Sequence, residues 1–124
     1  MTLAAADISR AFAGRTRGGV RVDRVTRELY ATDASPYRIV PAAVLRPEGV
    51  DDLRAAVEVC RELGLSITPR GSGTSFTGQC VGAGLQVDCA SLDRVEWIDP
   101  ERRLARVEPG ATWWELNRRA AAHG

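Results

Sequence analysis

The chain has 124 residues, of which 44% are hydrophobic and 27% are charged, which fits one small globular domain and excludes a large multidomain enzyme. The net charge of +1, from 17 basic and 16 acidic residues, argues against a protein that binds nucleic acid by neutralising phosphates. No apolar run approaches the roughly 18 residues that a membrane-spanning helix requires, so no membrane span is predicted.

Three cysteines, Cys60, Cys80 and Cys89, form an odd set without CxxC spacing. That pattern is not typical of a disulfide framework or a zinc site, so no metal site is predicted. Free thiols are typical of a reducing compartment. The N-terminus also lacks a basic region followed by a long apolar stretch, as a secretory signal would have. We therefore predict a cytoplasmic protein.

The N-terminal part predicts a short helix within residues 3–13, broken by the glycines that follow. From Arg10 to Arg27 the chain carries six arginines against one aspartate. We interpret this segment as a solvated, mobile surface arm. The alternative is a contact for phosphates or for an acidic protein surface.

The middle of the chain predicts a strand, a helix and a second strand. Residues 32–38 are a turn-rich loop, and residues 43–47 are an apolar run that ends at a proline. Residues 50–63 predict a helix with acidic residues in its first turn and Gly64 as its stop. Its apolar stripe is predicted to comprise Val50, Leu53, Val57, Cys60 and Leu63. Residues 66–69 predict the second strand.

The C-terminal part adds a third strand at 85–89 and a hairpin from 95–99 and 104–108. Thr112 and Glu115 have the spacing of a capping box, which predicts a helix from there to about residue 122. Strand, helix and strand with short joints imply a βαβ unit. The predicted fold class is therefore α/β, with a small parallel three-stranded sheet, packed helices and a hairpin.

The stretch from Pro69 to Gln79 is the segment with a chemical pattern. Three glycines alternate with serine and threonine directly after a predicted strand, where open α/β sheets bind ligands. A glycine-rich backbone can approach a ligand closely and direct successive N–H groups at an anion. The stretch is not a P-loop, because no Gly-Lys-Ser/Thr follows, and it lacks the third glycine of GxGxxG. From the residues alone, phosphate binding and a flexible surface loop both remain open.

The sequence Pro-Arg-Gly-Ser-Gly-Thr-Ser-Phe-Thr-Gly-Gln at 69–79 resembles the flavin-pyrophosphate loop of FAD-linked oxidases. These are vanillyl-alcohol-oxidase-like enzymes with a PCMH-type FAD-binding domain, and the glycolate oxidase and D-lactate dehydrogenase-like members are the most similar. The motifs at 32–37, 44–53 and 107–116 resemble the same family in the same order. The resemblance covers about residues 29–124. Residues 1–28 lie outside the resemblance and are predicted to be an N-terminal arm with a short helix. At 29–124 the resemblance implies an incomplete FAD-binding domain consisting of its first lobe.

The resemblance implies a set of residues that hold FAD. Those of the loop wrap the pyrophosphate, mostly through backbone N–H groups, and those of the Val-x-Pro-Gly turn shape the neighbouring wall near the adenine half. Some family members carry, at the position of Thr74, a histidine that binds flavin covalently. Threonine cannot form that bond, so non-covalent FAD is predicted. The set comprises Pro69, Arg70, Gly71, Ser72, Gly73, Thr74, Ser75, Thr77, Gly78, Gln79, Pro109 and Gly110.

The same resemblance implies part of a flavin-dependent oxidoreductase that oxidises a 2-hydroxy acid, such as D-lactate, glycolate or 2-hydroxyglutarate, by hydride transfer to FAD. Its partners would be the rest of the FAD-binding domain and a substrate domain, and no residue of this chain is predicted to be catalytic. The alternative is a truncated, non-catalytic binding or interaction module. Trp97, Trp113 and Trp114 are interpreted as core or half-buried anchors, with stacking on a flavin or adenine ring as the alternative.

Overall fold

The computed structural model describes residues 3–124. It contains the three α-helices and five β-strands predicted from the sequence, in the predicted order, and one further short helix and one further short strand near the N-terminus bring the totals in residues 3–124 to four and six. The elements are α1 (Ala5–Phe12), β1 (Val20–Arg21), α2 (Arg24–Leu29), β2 (Ala43–Leu45), α3 (Val50–Leu63), β3 (Ile67–Arg70), β4 (Leu85–Asp88), β5 (Val95–Asp99), β6 (Leu104–Val107) and α4 (Trp113–Ala120).

The main sheet has the strand order β1-β2-β4-β3. Strands β2, β4 and β3 are parallel, so the predicted α/β fold with three parallel strands is confirmed. The two-residue strand β1 adds an antiparallel edge on β2, which the sequence did not predict. Strands β5 and β6 form a separate antiparallel hairpin.

One face of the parallel sheet carries the apolar core. Successive side chains of a strand point to opposite faces, and Leu85 and Val87 of the central strand β4 lie in one buried cluster with Ala43 and Leu45 of β2. Helix α3 packs on this face. Helix α1 contributes Ile8 and Phe12, which are 1% and 3% exposed, to the same cluster.

Helix α3 has the predicted bounds, and Gly64 ends it in the left-handed conformation. The predicted apolar stripe of α3 is wrong in part, because Val50 and Val57 are 55% and 58% exposed. The buried face is formed by Asp52, Ala56, Val59 and Cys60. The helix is rotated relative to the prediction because Asp52, a charged residue, is buried on the side facing the sheet.

The Asp52 carboxylate connects α3 to the N-terminal segment. It accepts hydrogen bonds from the backbone N–H groups of Arg17, Gly18 and Glu48, each at 2.8 Å. The backbone of Gly18 packs closely against that of Arg46, and a Cβ at Gly18 would be 2.0 Å from the Arg46 carbonyl oxygen. Hydrogen bonds to a charged acceptor stabilise a protein more than neutral ones.

The interpretation of residues 10–27 as a solvated, mobile arm is wrong in part, because most of its arginines are exposed but the segment is folded. The segment contains β1 and the start of α2, whose N-cap Asp23 accepts a hydrogen bond from the Thr26 N–H group at 2.9 Å. Arg15 pairs with Glu58 and Glu62 on α3. The arginines of this segment are therefore part of a folded surface, and the backbone bonds to Asp52 account for its order.

No helix in residues 3–124 combines the length and the apolar character needed to cross a lipid bilayer.

Replacing Asp52 by asparagine tests this connection. Burial raises the pKa of Asp52, but the three backbone N–H groups outweigh it and hold the pKa below its ordinary value. The stabilisation is therefore complete above the unfolded-state pKa and is lost as the pH falls through the lower folded-state pKa. We expect Asp52→Asn to lower the free energy of unfolding at pH 7 by about 2–4 kcal/mol and to flatten its dependence on acid pH. Urea denaturation at pH 7 and in the acid range measures both effects.

The matched control is Asp51→Asn, since the Asp51 side chain is 94% exposed and pairs with Arg54 on the same helix. We expect it to change stability by less than about 1 kcal/mol. Equal effects of the two substitutions would contradict the role given to Asp52.

Candidate functional site

The second face of the parallel sheet is covered by loops and carries polar side chains. Gln86 of β4 is paired in register with Thr68 of β3, and Asp88 with Arg70. Gln86 and Asp88 alternate with the core residues Leu85 and Val87, so they point away from the apolar core, and their partners in register, Thr68 and Arg70, lie on the same face. Asp88 and Arg70 end their strands, so they lie at the carboxyl edge of the sheet, where open α/β folds bind ligands.

Gln86 binds two loops to this face. Its side chain is 0% exposed, and its Nε2 donates hydrogen bonds to the carbonyl oxygens of Tyr30 and Cys80, each at 3.0 Å. A buried amide that satisfies two carbonyls holds both segments against the sheet, because breaking either bond leaves a desolvated polar group. The Tyr30 hydroxyl in turn donates to Asp88. Burial, and then the Asp88 hydrogen bond, raise the pKa of Tyr30.

The Arg70 side chain packs against Gly73 of the glycine-rich loop, which we define as residues 69–79. Its Nη1 donates to the Thr32 carbonyl oxygen at 2.8 Å and to the Cys80 carbonyl oxygen at 3.4 Å. The guanidinium carbon lies 5.3 Å from the centre of the Tyr30 ring, within cation–π distance. Both hydrogen bonds of the guanidinium are made to backbone carbonyl oxygens.

A second loop, residues 32–38, supports the glycine-rich loop; we call it the Asp33 loop. The Ala34 N–H group donates to the Gly73 carbonyl oxygen at 3.1 Å. The Asp33 carboxylate accepts from the Ser35 N–H group at 2.9 Å and from the Cys80 N–H group at 3.3 Å. Its hydrogen bonds, that of Ser35 foremost, lower the pKa of Asp33.

The second half of the glycine-rich loop is closed on itself. The Ser75 hydroxyl oxygen accepts from the N–H groups of Thr77 at 3.4 Å and Gln79 at 3.2 Å, and the Ser75 hydroxyl also bonds the Gln79 side chain. Gly78 has φ +80°, and a Cβ there would be 2.8 Å from the Tyr37 ring. Both features fix the turn and explain why glycine is required at position 78.

The first half of the glycine-rich loop offers free donors. Among the hydrogen bonds of residues 3–124, none takes the backbone N–H groups of Ser72, Gly73 or Thr74. Ser72 and Thr74 are exposed, whereas Gly73 is buried over Arg70. Three successive N–H groups in a turn of this kind can form an anion-binding concavity.

Gly71 and Ser72 of this half form one wall of a cleft of about 290 Å³, and the turn 109–112 with the start of α4 forms the opposite wall. No charged side chain lines the cleft. Its lining residues are Gly71, Ser72, Ala90, Pro109, Gly110, Ala111, Thr112 and Trp113. Gly110 fits closely, because a Cβ there would be 2.4 Å from the Cys89 carbonyl oxygen and 2.8 Å from that of Leu92.

The amino end of α4 adds electrostatic attraction for an anion. The hydroxyl of Thr112 accepts from the Glu115 N–H group at 3.2 Å, as the capping-box spacing predicts. The reciprocal bond of a capping box is absent, since the Glu115 carboxylate instead pairs with Arg118 and Arg119. These two guanidiniums hold the pKa of Glu115 at about 2. The partial positive charge of the helix start is therefore directed at the cleft beside a carboxylate that is already paired.

The interpretation of the tryptophans as core or half-buried anchors is wrong for two of them. Trp113 and Trp114 are 79% and 72% exposed, and Trp97 is 47% exposed. Trp113 lines the cleft, whereas Trp114 lies within cation–π distance of Arg118. The exposure of both rings agrees with the rest of helix α4, which has no buried residue.

The structure brings part of the predicted site together. Gly71 and Ser72 share the cleft with Pro109 and Gly110, which are almost forty residues away in the chain. Pro69 and Arg70 lie in β3, and Gly73 packs on the Arg70 guanidinium. Gly73 and Thr74 have free N–H groups but do not line the cleft. The turn from Ser75 through Thr77 and Gly78 to Gln79 does not line the cleft. Sequence reasoning missed Ala90 and Thr112, and it also missed the support from Asp33 and Gln86, whose contacts are tertiary and have no local pattern.

Comparison with known proteins identifies the family to which the chain belongs. Residues 41–124 match the model of a family described as an FAD binding domain. The chain belongs to this family of FAD-linked oxidoreductases.

Curated relatives extend the comparison. The chain is 33% identical over 112 residues to a D-2-hydroxyglutarate dehydrogenase of Pseudomonas putida, which covers 87% of this chain and 11% of the relative. It is 33% identical over 101 residues to the glycolate oxidase subunit GlcD of Bacillus subtilis, with 79% of this chain and 22% of the relative covered. The chain thus spans between about a tenth and a quarter of the length of these relatives.

Solved structures show the same fold at low identity. Alkyldihydroxyacetonephosphate synthase matches with a TM-score of 0.80 and 16% identity, over 96% of this chain and 25% of that one. p-Cresol methylhydroxylase matches with a TM-score of 0.79 and 21% identity, over 95% of this chain and 24% of that one. Both the resemblance to FAD-linked oxidases and the predicted fold are therefore confirmed.

The substitution Gly71→Val tests whether the FAD binding domain receives its cofactor in this cleft. A Cβ at Gly71 would meet nothing within 4 Å, so a side chain there has room in the protein itself and would occupy the cleft. We expect the variant to keep the wild-type free energy of unfolding and to bind FAD at least about tenfold more weakly, a difference of about 1.4 kcal/mol. Flavin fluorescence titration and urea denaturation measure the two quantities.

The control is Gly19→Val, because Gly19 also has open space around its Cβ position and does not line the cleft. It should leave FAD affinity unchanged. An unchanged FAD affinity of Gly71→Val would refute this cleft as the cofactor site.

Proposed function

We propose that this chain binds FAD non-covalently in the cleft between residues 71–72 and 109–113, with the pyrophosphate on the N–H groups of Ser72, Gly73 and Thr74. In this proposal residues 29–124 are the first lobe of the FAD-binding domain. The observation that carries the proposal is the juxtaposition of free loop donors, an uncharged cleft and a helix start.

The residues of the cleft are chemically suited to a dinucleotide. Phosphate oxygens need hydrogen-bond donors and positive potential, and loop N–H groups and the start of α4 supply both. No carboxylate lines the cleft to repel the anion. The exposed ring of Trp113 gives one wall an aromatic face on which a planar ring can stack.

The structure also supports a non-covalent cofactor. At the position where covalent members of the family carry histidine, this chain has Thr74, which is exposed on the loop. Thr74 has no ring nitrogen to bond the flavin. The cofactor would then be retained by hydrogen bonds, stacking and burial.

The activity that we propose is oxidation of a 2-hydroxy acid by the protein that contains this lobe. The names of the relatives, D-2-hydroxyglutarate dehydrogenase and glycolate oxidase, support this class of substrate. Bound FAD supplies a hydride acceptor. The residues of this chain hold and orient the cofactor, and we assign none of them as the catalytic base. His123 is exposed in the short helix that follows α4.

The partners that we propose are the rest of the FAD-binding domain and a substrate domain. The larger size of the relatives supports them. So does a groove of about 450 Å³ between the β5–β6 hairpin and α4, lined in part by Ile98, Leu104 and Leu116. A two-stranded hairpin is marginally stable alone, so its exposed apolar residues fit a contact with further structure.

We also propose a cytoplasmic location. The three cysteines are unpaired, and burial raises the pKa of Cys60 to about 11 and also raises the pKa of Cys89. Such thiols act as small apolar core groups and suit a reducing compartment.

The first test is the mode of flavin binding. We expect the purified protein to be yellow after incubation with FAD and gel filtration. Acid precipitation should leave all of the flavin in the supernatant, because no covalent bond holds it. Flavin absorbance in the washed pellet would contradict the non-covalent assignment, and a colourless protein would favour the alternative of a module without flavin.

The second test concerns the substrate. Under anaerobic conditions, D-lactate, glycolate or D-2-hydroxyglutarate should bleach the flavin absorbance near 450 nm of the protein assembled with its remaining domains. The L-isomers of lactate and 2-hydroxyglutarate are the controls. Bound flavin that none of these acids bleaches would keep the FAD-binding role and refute the proposed substrate class.

A further inference from the structure

We propose that Arg70 is a positioning residue, which holds the glycine-rich loop in its cofactor-receiving shape before FAD arrives and does not contact the pyrophosphate. This inference rests on the proposed function for its cofactor and departs from the expectation that Arg70 wraps the phosphates.

The orientation of Arg70 follows from the strand that carries it. Arg70 is the last residue of β3 and is paired with Asp88 of β4. Strand alternation sends its side chain to the loop-covered face of the sheet, the face that also carries Gln86. From there the guanidinium extends to Gly73 of the loop, and it does not line the cleft.

The hydrogen bonds of the Arg70 guanidinium are made to the protein. Its Nη1 donates to the carbonyl oxygens of Thr32 and Cys80. These two carbonyls belong to the start of the Asp33 loop and to the residue directly after the glycine-rich loop. One guanidinium therefore joins the Asp33 loop to the end of the glycine-rich loop. Its central carbon also lies 5.3 Å from the centre of the Tyr30 ring.

Gly73 shows how closely the guanidinium fits. Gly73 has φ +70°, and a Cβ there would be 2.3 Å from Arg70 Nη2 and 2.7 Å from its Cζ. The turn that presents the free N–H groups of Ser72, Gly73 and Thr74 thus lies directly on the guanidinium. Glycine at position 73 is therefore explained both by its left-handed φ and by the contact with Arg70.

The geometry also explains why lysine would be a poor replacement. A guanidinium is planar, so it can fit between the Tyr30 ring and Gly73 while its Nη1 bonds both carbonyls. An ammonium keeps the charge but loses the planar shape. Direct phosphate binding needs mainly charge, whereas positioning needs shape, and this difference can be measured.

The test compares Arg70→Lys with Arg70→Ala by two measurements. The first is FAD affinity from flavin fluorescence. The second, made without FAD, is amide hydrogen exchange at Ala34, whose N–H group is bonded to the Gly73 carbonyl oxygen. We expect both variants to bind FAD at least tenfold more weakly and to exchange the Ala34 amide at least tenfold faster. Arg54→Lys, on the exposed surface of α3, is the control for the same change of side chain.

Gly73→Ala tests the contact from the other partner. Its Cβ should displace the guanidinium, so that the Ala34 amide exchanges as fast as in Arg70→Ala, and the double variant should be no faster than either single one. Gly71→Ala is the matched control for this ligand-free exchange, because nothing lies within 4 Å of its Cβ position. Additive effects of Arg70→Ala and Gly73→Ala would overturn the proposed contact.

Two other results would overturn the proposal. Wild-type FAD affinity in Arg70→Lys would show that charge alone suffices, as in direct phosphate binding. Weaker FAD binding with unchanged Ala34 exchange would show that Arg70 does not hold the loop. If the wild-type protein binds no FAD, the proposed function fails, and Ala34 exchange in the ligand-free variants still decides whether Arg70 positions the loop.

Discussion

The candidate site depends on one buried side chain of the central strand. Gln86 lies between β2 and β3 and satisfies the carbonyl oxygens of Tyr30 and Cys80, while its own Oε1 has no partner among residues 3–124. Since an unpaired polar group in a protein interior costs about 1–3 kcal/mol, the two bonds that Gln86 makes strongly favour a single arrangement of the loops above it. The sheet thereby fixes where the Asp33 loop and the glycine-rich loop leave its surface.

Further hydrogen bonds hold the loops that Gln86 binds to the sheet. Arg70 and Asp33 join the two loops to each other, and the Ser75 hydroxyl closes the turn beyond them. What is left free is a run of backbone N–H groups at the top of the loop, opposite the start of α4. A rigid turn with unused donors is a preorganised anion site, which lowers the ordering cost when a ligand binds. Because the chain belongs to the FAD binding domain family, we propose that the anion is the pyrophosphate of FAD.

The sequence predicted the features that local chemistry determines. The bounds of α3, its stop at Gly64, the three parallel strands and the hairpin follow from apolar patterns, acidic first turns and glycine. The buried face of α3 did not follow, because Asp52 is polar by sequence and becomes a core residue through its bonds to Arg17 and Gly18. The same bonds give order to a segment whose composition is typical of a solvated surface. For the site, the motif predicted the loop as a unit, and only the fold shows that the Arg70 side chain packs against Gly73 while Gly71 and Ser72 line the cleft.

The most direct test of this account follows the backbone amides of the isotope-labelled protein by NMR while FAD is added. If the loop is a preorganised pyrophosphate site, the amide signals of Ser72, Gly73 and Thr74 shift on binding and become protected from exchange, while those of Leu85 and Val87 in the core stay in place. Saturation with FAD that leaves the three loop amides unchanged would contradict the central claim, because the free donors would then not be the groups that hold the cofactor.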